Sequence, residues 1–283
     1  MNRHKNKGHS GSGFAPKHSL GQNFILDESL MSAVADAAGI GPEDSVIEIG
    51  PGMGTLTKQL AERAKQVVAV EVDETLRPYL VVALESCPNA SVIYQDVLSV
   101  DLGRLYREQF GEDAQVRVAA NIPYYITTEI LEKTIRELPE ARSLAFMVQK
   151  EVADKLMAEP GKDGYGPLAI LCQMNYEMER ALEVPAASFT PRPKVDSTFL
   201  VLRRRVKYDL PDMYFFESMI HRIFLMRRKT LLNNLISQYA LSREDAETML
   251  TAAGISLQAR AEALSLETLT VLCKVLYERE KAK

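Results

Sequence analysis

Four adjacent residues, Asn121, Ile122, Pro123 and Tyr124, follow an apolar run and combine an amide, a proline and an aromatic ring. The side-chain oxygen of Asn121 and the backbone carbonyl of Ile122 could accept the two hydrogens of an aromatic amine, because both oxygens are hydrogen-bond acceptors. Pro123 would hold its φ angle at about −65° and help to fix that carbonyl, and Tyr124 would stack on a flat base. The alternative is that Asn and Pro only end a strand and begin a turn.

Further candidate residues stand at the ends of earlier predicted strands. In VIEIGPGMGTLT, Gly50, Gly52 and Gly54 lie between a strand and a helix, where a doubly wound sheet binds its ligand. Glycine lets the backbone approach a ligand without a Cβ in the way, but the Gly-x-Gly-x-Gly spacing matches a dinucleotide fingerprint only in part. Glu71 ends the next strand, where a carboxylate can accept both hydroxyls of a ribose. Asp96 follows the third strand, where it would accept from an adenine amine.

Each of these acids alone is typical of a charge that solvates a strand end. Together with the glycines and Asn121, however, they stand at successive strand ends and would line one crevice, which indicates a ligand that contains adenosine. The glycine loop has no lysine that could hold a phosphate, and S-adenosylmethionine therefore fits better than a nucleotide.

The elements that must position these residues are visible in the apolar pattern. From about residue 44, short runs rich in Val, Ile and Ala alternate with longer amphipathic runs, a pattern that predicts parallel strands joined by helices. We therefore predict an α/β fold with a doubly wound, Rossmann-like sheet. STFLVLRR follows a proline-rich loop and is predicted to be the last strand.

Beyond Lys207 the apolar residues recur at helical spacing in three segments, which predicts a small all-helical C-terminal domain. The predicted organisation is a basic flexible tail over 1–17, an α/β domain over 18–206 and a helical domain over 207–283.

The composition is that of an ordinary globular protein, with 46% apolar and 25% charged residues. No run approaches the ~18 apolar residues of a membrane helix, and the N-terminus lacks the apolar core of a targeting segment, so a cytoplasmic protein without membrane contact is expected. Cys87, Cys172 and Cys273 lie far apart without Cys-x-x-Cys spacing. This predicts buried thiols, and no metal site.

The net charge of −4 hides an uneven distribution. Lys and Arg outnumber acids in the segments 1–26, 192–207 and 218–242, and the only acid in these segments is Asp196. Such segregation is typical of a face that binds a polyanion, although each segment alone fits a solvated surface or a tail equally well. The candidate phosphate contacts are Arg192, Lys194, Arg203, Arg204, Arg205, Arg222, Arg227, Arg228 and Lys229.

The motifs SLGQNFILD, EIGPGMGTLT, VEVD, QDVL, NIPYYIT, FMVQKEVADKL and FTPRPKVDSTFLVL resemble, in order and spacing, those of the ribosomal RNA adenine dimethyltransferases, specifically the bacterial small-subunit (16S) type. The resemblance runs from about His18 to the C-terminus. It implies methyl transfer from S-adenosylmethionine to the N6 amines of two adjacent adenosines near the 3′ end of small-subunit ribosomal RNA. It also implies an assembling 30S subunit as the partner and a C-terminal domain that binds RNA. A monomer is expected.

The same resemblance implies site residues. Phe189, at the head of FTPRPK, would close the second face of the target base, and Ile25 stands where the family usually has Leu. The implied cofactor contacts are Asn23, Ile25, Gly50, Gly52, Glu71, Asp96 and Asn121.

Three other functions stay open at this point. The large-subunit ribosomal RNA methylases of the drug-resistance type share the cofactor and adenine motifs, although FTPRPKVDSTF and the second tyrosine after Pro123 favour the small-subunit type. DNA adenine methylation is the second. The third is a non-catalytic assembly or transcription factor on the same fold, which an intact Asn-Ile-Pro-Tyr disfavours because a binding module does not need the amine acceptors.

Overall fold

The computed structural model describes residues 16–17, 20–205 and 207–281. Most of the predicted basic tail, and His18, where the motif resemblance begins, lie outside the described residues. The described chain forms a seven-stranded sheet in the order β3-β2-β1-β4-β5-β7-β6. Its strands are β1 (Asp44–Ile49), β2 (Gln66–Glu71), β3 (Ala90–Tyr94), β4 (Gln115–Asn121), β5 (Ser143–Gln149), β6 (Tyr176–Val184) and β7 (Ser197–Arg204). Its helices are α1 (Glu28–Ala38), α2 (Thr55–Ala61), α3 (Arg77–Ala83), α4 (Leu102–Phe110), α5 (Thr127–Glu137), α6 (Lys150–Leu156), α7 (Pro167–Asn175), α8 (Met213–Phe224), α9 (Leu231–Tyr239), α10 (Arg243–Ala252) and α11 (Leu266–Lys281).

The first five strands are parallel, as predicted. All six residues of β1 are buried, because helices cover both faces: neighbouring residues Val46 and Ile47 enter different hydrophobic cores. β1 pairs in parallel with both β2 and β4. The strand order therefore reverses at β1, and a crevice opens there at the carboxyl ends of the strands.

The other end of the sheet differs from the prediction of parallel strands alone. β7 occupies the predicted segment, but it runs antiparallel between β5 and β6. β6 was not predicted, because this edge strand is partly exposed and carries charged residues such as Glu177 and Glu179 instead of a continuous apolar run. Since β7 is antiparallel, its first residue, Ser197, lies beside Gln149, the last residue of β5. It therefore stands at the same edge as the carboxyl ends of the parallel strands.

The C-terminal region is helical, as predicted. Helices α8 to α11 share one hydrophobic core, which includes Phe216, Leu235 and Leu272, whereas α9 was not among the predicted helices. Tyr165, which precedes α7, belongs to the same core, and its hydroxyl donates to the carbonyl of Leu264 at 2.9 Å. The helical core thus includes residues from both sides of residue 207, and the domain boundaries stay a prediction.

The three cysteines are free and buried, as expected. Among the described residues, no helix has the length and apolar character that crossing a membrane requires.

Candidate active site

A cavity of about 300 Å³ opens at the carboxyl ends of β1, β2 and β4, a volume at the lower end of the range for small-molecule sites. Five stretches of the chain form most of its lining: residues 20–25, the end of β1 with the glycine loop, residues 70–72 at the end of β2, residues 95–98 after β3, and residues 121–126 after β4. The described residues that line it include no Lys, Arg or His. The sequence-predicted strand ends therefore meet at one site.

The glycine loop has a backbone that only glycine adopts without strain. The φ angles of Gly50, Gly52 and Gly54 are 71°, 58° and 81°, in the left-handed region where a Cβ is disfavoured. A Cβ on Gly52 would also lie 2.9 Å from the ring of Phe24. The Gly50 N–H donates to the carbonyl of Val70 at 2.9 Å and ties the loop to β2.

Glu71 braces this loop from the end of β2. Its Oε2 accepts from the Gly52 N–H at 3.1 Å, and its Oε1 accepts from the Asp73 N–H at 2.8 Å. Burial raises the pKa of Glu71, while these backbone hydrogen bonds oppose the rise. A carboxylate oxygen has two acceptor sites, so Glu71 can hold the loop and still accept hydroxyl groups of a ligand.

Asp96 lies exposed after β3 at the rim of the cavity. Its Oδ1 accepts from the Leu98 N–H at 2.9 Å. No group of the described chain donates to its Oδ2, which leaves that oxygen able to accept from a ligand amine.

Asn121, the last residue of β4, has its amide oriented by the N-terminal segment. The Nδ2 of Asn121 donates to the backbone carbonyl of Asn23 at 3.1 Å, and the Nδ2 of Asn23 donates to the carbonyl of Gly21 at 2.9 Å. The Oδ1 of Asn121 is therefore the amide atom left to accept a hydrogen bond. Ile122 follows with a buried side chain, and Pro123 has a φ of −57°, close to the predicted value.

Tyr124 lines the cavity, and its hydroxyl lies 2.6 Å from the Oγ of Ser197. Burial raises the pKa of Tyr124, while the Ser197 hydrogen bond opposes the rise. Ser197 was not among the predicted site residues. Its contact depends on the antiparallel placement of β7, and no spacing in the sequence indicates it.

The N-terminal segment that contains Asn23 and Ile25 forms one wall of the cavity. Phe24 pairs with Thr190 through two backbone hydrogen bonds of 2.9 and 2.8 Å.

A buried carboxylate, Asp73, fastens this segment to the loop after β2. Asp73 accepts from Lys17 Nζ at 2.7 Å and from Gln22 Nε2 at 2.8 Å. Burial acts to raise its pKa, but the hydrogen bonds from Lys17, Thr75 and Gln22 outweigh burial and lower the pKa to about 2. Sequence reasoning gave Asp73 no role, although it is the last residue of the VEVD motif.

Glu48 is a further cavity residue that the sequence did not single out. It is 1% exposed, and its Oε2 has no hydrogen-bond partner in the described chain. Burial raises the pKa of Glu48 to about 8, so the carboxyl holds its proton at neutral pH.

The cavity wall fits the predicted cofactor. Oxygens of Glu71, Asp96 and Asn121 can accept from hydroxyl and amine groups, and a wall without basic side chains gives no countercharge to phosphates. Adenosine bearing a positively charged sulfur and an ammonium group matches this set of acceptors better than a nucleotide does.

Phe189 does not line the cavity. It is 2% exposed and packs in a core with Ile25, Val184 and Phe199. A contact with a target base requires this side chain to leave that core, and its role stays a prediction.

The basic candidates divide into paired and unpaired groups. Arg203 and Arg205 form ion pairs with Glu179 and Glu177 at 3.2 and 3.9 Å, which reduces the charge they present to a phosphate. Arg227 lies 3.9 Å from Glu262. In the part of the chain that the structure describes, no carboxylate lies within 4.0 Å of the basic groups of the other six candidates, Arg192, Lys194, Arg204, Arg222, Arg228 and Lys229.

The turn that carries Arg227 and Arg228 is held by a buried amide. Asn234 is 1% exposed, its Oδ1 accepts from the Met226 N–H at 3.3 Å, and its Nδ2 donates to the carbonyls of Met226 and Thr230 at 3.3 and 3.2 Å. Arg222 lies in the last turn of α8, with its guanidinium 5.1 Å from the ring centre of Tyr239.

Comparison with known proteins agrees with the geometry. The family model for ribosomal RNA adenine dimethylase matches residues 13–278. The ribosomal RNA small subunit methyltransferase A of Bacillus cytotoxicus is 43% identical over 269 residues, which cover 93% of this chain and 92% of that protein. The protein of the same name from Bacillus thuringiensis is 44% identical over 269 residues, with the same coverage of 93% and 92%.

Two solved structures are similar along most of the chain. The 23S rRNA methyltransferase ErmE has a TM-score of 0.68 at 28% identity, covering 90% of this chain and 100% of that one. A dimethyladenosine transferase from Plasmodium falciparum has a TM-score of 0.74 at 22% identity, covering 91% and 98%, and this second likeness supports the fold alone.

Proposed function

The chain belongs to the ribosomal RNA adenine dimethylase family, and we propose that it dimethylates the N6 amines of two adjacent adenosines near the 3′ end of small-subunit ribosomal RNA. As a family member it is an enzyme that methylates adenine in ribosomal RNA. S-adenosylmethionine as donor, an assembling 30S subunit as substrate particle, a monomeric state and a cytoplasmic location are parts of the proposal.

The observation that carries the proposal is the orientation of the Asn121 amide. Its Nδ2 is occupied by the carbonyl of Asn23, so its Oδ1 is left for the cavity, next to the backbone carbonyl of Ile122. Two acceptors in adjacent residues at a strand end suit an amine that carries two hydrogens. An Asn with only a structural role at a strand end does not need a free side-chain oxygen beside a second acceptor.

When bound, S-adenosylmethionine supplies a methyl group on a positively charged sulfur. The glycine loop at Gly50 and Gly52 gives the cofactor a close backbone approach, and Glu71 accepts from the ribose hydroxyls. Asp96 accepts from the adenine amine of the cofactor, while the segment from Asn23 to Ile25 covers it. These assignments follow from the acceptor chemistry of each residue and its place on the cavity wall.

The residues after β4 act on the target base. The N6 nitrogen of adenine is flat and a weak nucleophile, because its lone pair is drawn into the ring. Hydrogen bonds to Asn121 Oδ1 and to the Ile122 carbonyl hold the two N–H bonds and favour a pyramidal nitrogen whose lone pair points out of the ring plane. Tyr124 stacks on the flipped base, which offsets part of the unstacking, about 1 to 3 kcal/mol per base.

No general base is required at the amine, because the alkylated nitrogen is acidic enough to lose its proton to water. After the first methyl transfer one N–H remains, and either acceptor can hold it. The same pair of oxygens can therefore orient the nitrogen for a second transfer.

The unpaired basic residues complete the proposal. Arg192 and Lys194 stand on the loop that leads to β7, and Arg222 and Arg228 stand at and after the end of α8, all with exposed side chains. Contacts of this kind with phosphates give affinity and salt dependence, while recognition of the RNA comes from its shape.

The test is methyl transfer to separated ribosomal particles. We expect the protein, given isotope-labelled S-adenosylmethionine and small subunits that lack the modification, to place label on two adjacent adenosines of the small-subunit RNA. The Asn121→Ala variant serves as the inactive control. Label only in large-subunit RNA, the target named for the similar enzyme ErmE, or only in duplex DNA, would contradict the proposal.

A further inference from the structure

Tyr124 is the cavity aromatic whose hydroxyl contacts a buried serine of another strand, Ser197, at 2.6 Å. We infer that Ser197 is a positioning residue, which fixes the direction in which the Tyr124 side chain points and so sets the place of the base stacked on it. The inference rests on the proposed function, in which Tyr124 stacks on the target adenine.

The Tyr124 ring is restrained at both ends. At its backbone end, residues Tyr124–Ile126 form a 3-10 turn after Pro123, and the Ile126 N–H donates to the Pro123 carbonyl at 3.3 Å. The hydroxyl of Thr127 donates to the carbonyls of Pro123 and Tyr124, both at 3.3 Å. At the far end, the phenol oxygen is held by Ser197. A side chain held at both ends cannot swing about its Cα–Cβ bond without breaking the contact with Ser197.

Ser197 is the first residue of β7 and is held by the strands on both sides of it. Its side chain is fully buried, and its backbone stands in register with Gln149 of β5 on one side and Val184 of β6 on the other. The preceding residue, Asp196, accepts from the Ala186 N–H through Oδ1 at 2.8 Å and from the Lys150 N–H through its carbonyl at 3.1 Å. Ser197 is therefore held in place by three strands, β5, β6 and β7, and its hydroxyl in turn holds the phenol oxygen of Tyr124.

Ser197 is separate from the cofactor site, because it is not among the residues that line the cavity. Its loss should affect the base and leave the donor in place. Removing the hydroxyl leaves the phenol oxygen of Tyr124 without its serine partner and frees the side chain to swing about its Cα–Cβ bond, and small misplacements of a reacting group lower rates steeply. We expect Ser197→Ala to lower the rate of methyl transfer on the order of tenfold or more, with donor affinity unchanged.

A double-mutant cycle separates positioning from a general structural effect. Single-turnover methyl transfer is measured for Ser197→Ala, Tyr124→Phe and the double variant, with donor affinity and thermal stability recorded for each. If Ser197 acts through the tyrosine hydroxyl, the double variant loses no more rate than the worse single variant. Rate losses that multiply, or a wild-type rate in Ser197→Ala, would overturn the inference.

The chain offers a matched control in the next residue of the same strand. Thr198 is also fully buried, and its hydroxyl contacts Glu183 at 3.1 Å. Thr198→Val should transfer methyl groups at a rate near that of the wild type. If Ser197→Ala does not fold, Tyr124→Phe removes the same hydrogen bond alone, and a wild-type rate in that variant would overturn the inference.

The outcomes also separate the inference from the proposed function. A wild-type protein that leaves adenine in small-subunit RNA unmethylated contradicts the proposed function. An active wild-type protein whose Ser197→Ala variant is equally active contradicts the positioning role alone.

Discussion

The Nδ2 of Asn121 donates to the backbone carbonyl of Asn23 at 3.1 Å. This contact joins the end of β4 to a segment that precedes the whole sheet in the chain, and it decides which atom of the amide faces the cavity. The N-terminal segment therefore forms one wall of the cavity. It also orients the side chain that is proposed to hold the target amine. A change in this segment should therefore affect donor binding and transfer together.

Substitutions of Asn121 and of Glu71 should impair different steps, methyl transfer for Asn121 and donor binding for Glu71. For Asn121→Ala we expect donor affinity within about tenfold of wild type and a loss of transfer on the order of a hundredfold or more, because the lost acceptor acts mainly in the transition state. For Glu71→Ala we expect weaker donor binding first, on the order of tenfold or more. Calorimetric titration with the donor and single-turnover transfer separate the two effects. Equal losses of donor affinity in both variants would mean that Asn121 has a structural role.

Asp73 should stabilise the protein at neutral pH. Because its pKa in the folded protein is lowered from 3.8 to about 2, the contribution is fully present above the unfolded pKa and is lost as pH falls through the folded pKa. Asp73→Asn should therefore lower the free energy of unfolding at pH 7, by about 1 to 3 kcal/mol, and the difference should shrink below about pH 4. Urea unfolding at several pH values checks this. A difference that stays constant down to pH 3 would show that the ion pair with Lys17 is not its source.

Glu48 should make the free energy of unfolding fall as pH rises, which is opposite to the effect of Asp73. Burial raises its pKa from 4.5 to about 8, so the folded protein binds a proton that the unfolded chain has lost between these pH values, and stability falls as pH rises. Glu48→Gln lacks this titration. The free energy of unfolding of the variant minus that of the wild type should rise between pH 5 and 8, by up to about 1.4 kcal/mol per pH unit. Parallel pH profiles for the two proteins would contradict the buried, protonated carboxyl.

The turn after α8 should contribute to the salt dependence of RNA binding. Arg227→Ala combined with Arg228→Ala removes two charges from this turn, and we expect a shallower dependence of RNA affinity on salt concentration, because fewer counterions are released. Arg104→Ala is the control, since Arg104 is an exposed arginine on α4 paired with Glu108 at 2.6 Å. Filter binding at several salt concentrations gives both slopes. An unchanged slope in the double variant would remove this turn from the RNA contact surface.

Much of the site could be predicted because parallel strands bring their carboxyl ends to one edge. The continuous apolar runs of β2 and β5 indicated buried parallel strands, and Gly50, Glu71 and Asn121 stand at the ends of such strands. These residues meet at the cavity for that topological reason. The acceptor chemistry of their side chains is also a property of residue type, so the amino-acid sequence was enough to favour an adenosine-bearing cofactor.

Other parts of the site depend on contacts that no local pattern indicates. The bond between Tyr124 and Ser197 requires β7 to run antiparallel beside β5, and the Lys17–Asp73 ion pair joins residues 56 positions apart. β6 escaped prediction because an edge strand does not need a continuous apolar run. The burial of Phe189 in a core, instead of on the cavity wall, follows from packing, which sequence motifs do not report.

In the proposed function, the side-chain oxygen of Asn121 and the carbonyl of Ile122 hold the amine of a flipped adenine. The decisive measurement is a crystal structure of the protein with a methyl-donor analogue and an RNA fragment. We expect the Asn121 Oδ1 and the Ile122 carbonyl oxygen each within about 3.2 Å of the adenine N6, with the Asn121 Nδ2 still bonded to Asn23. An adenine bound in the cavity with the Asn121 amide turned away from N6 would contradict it.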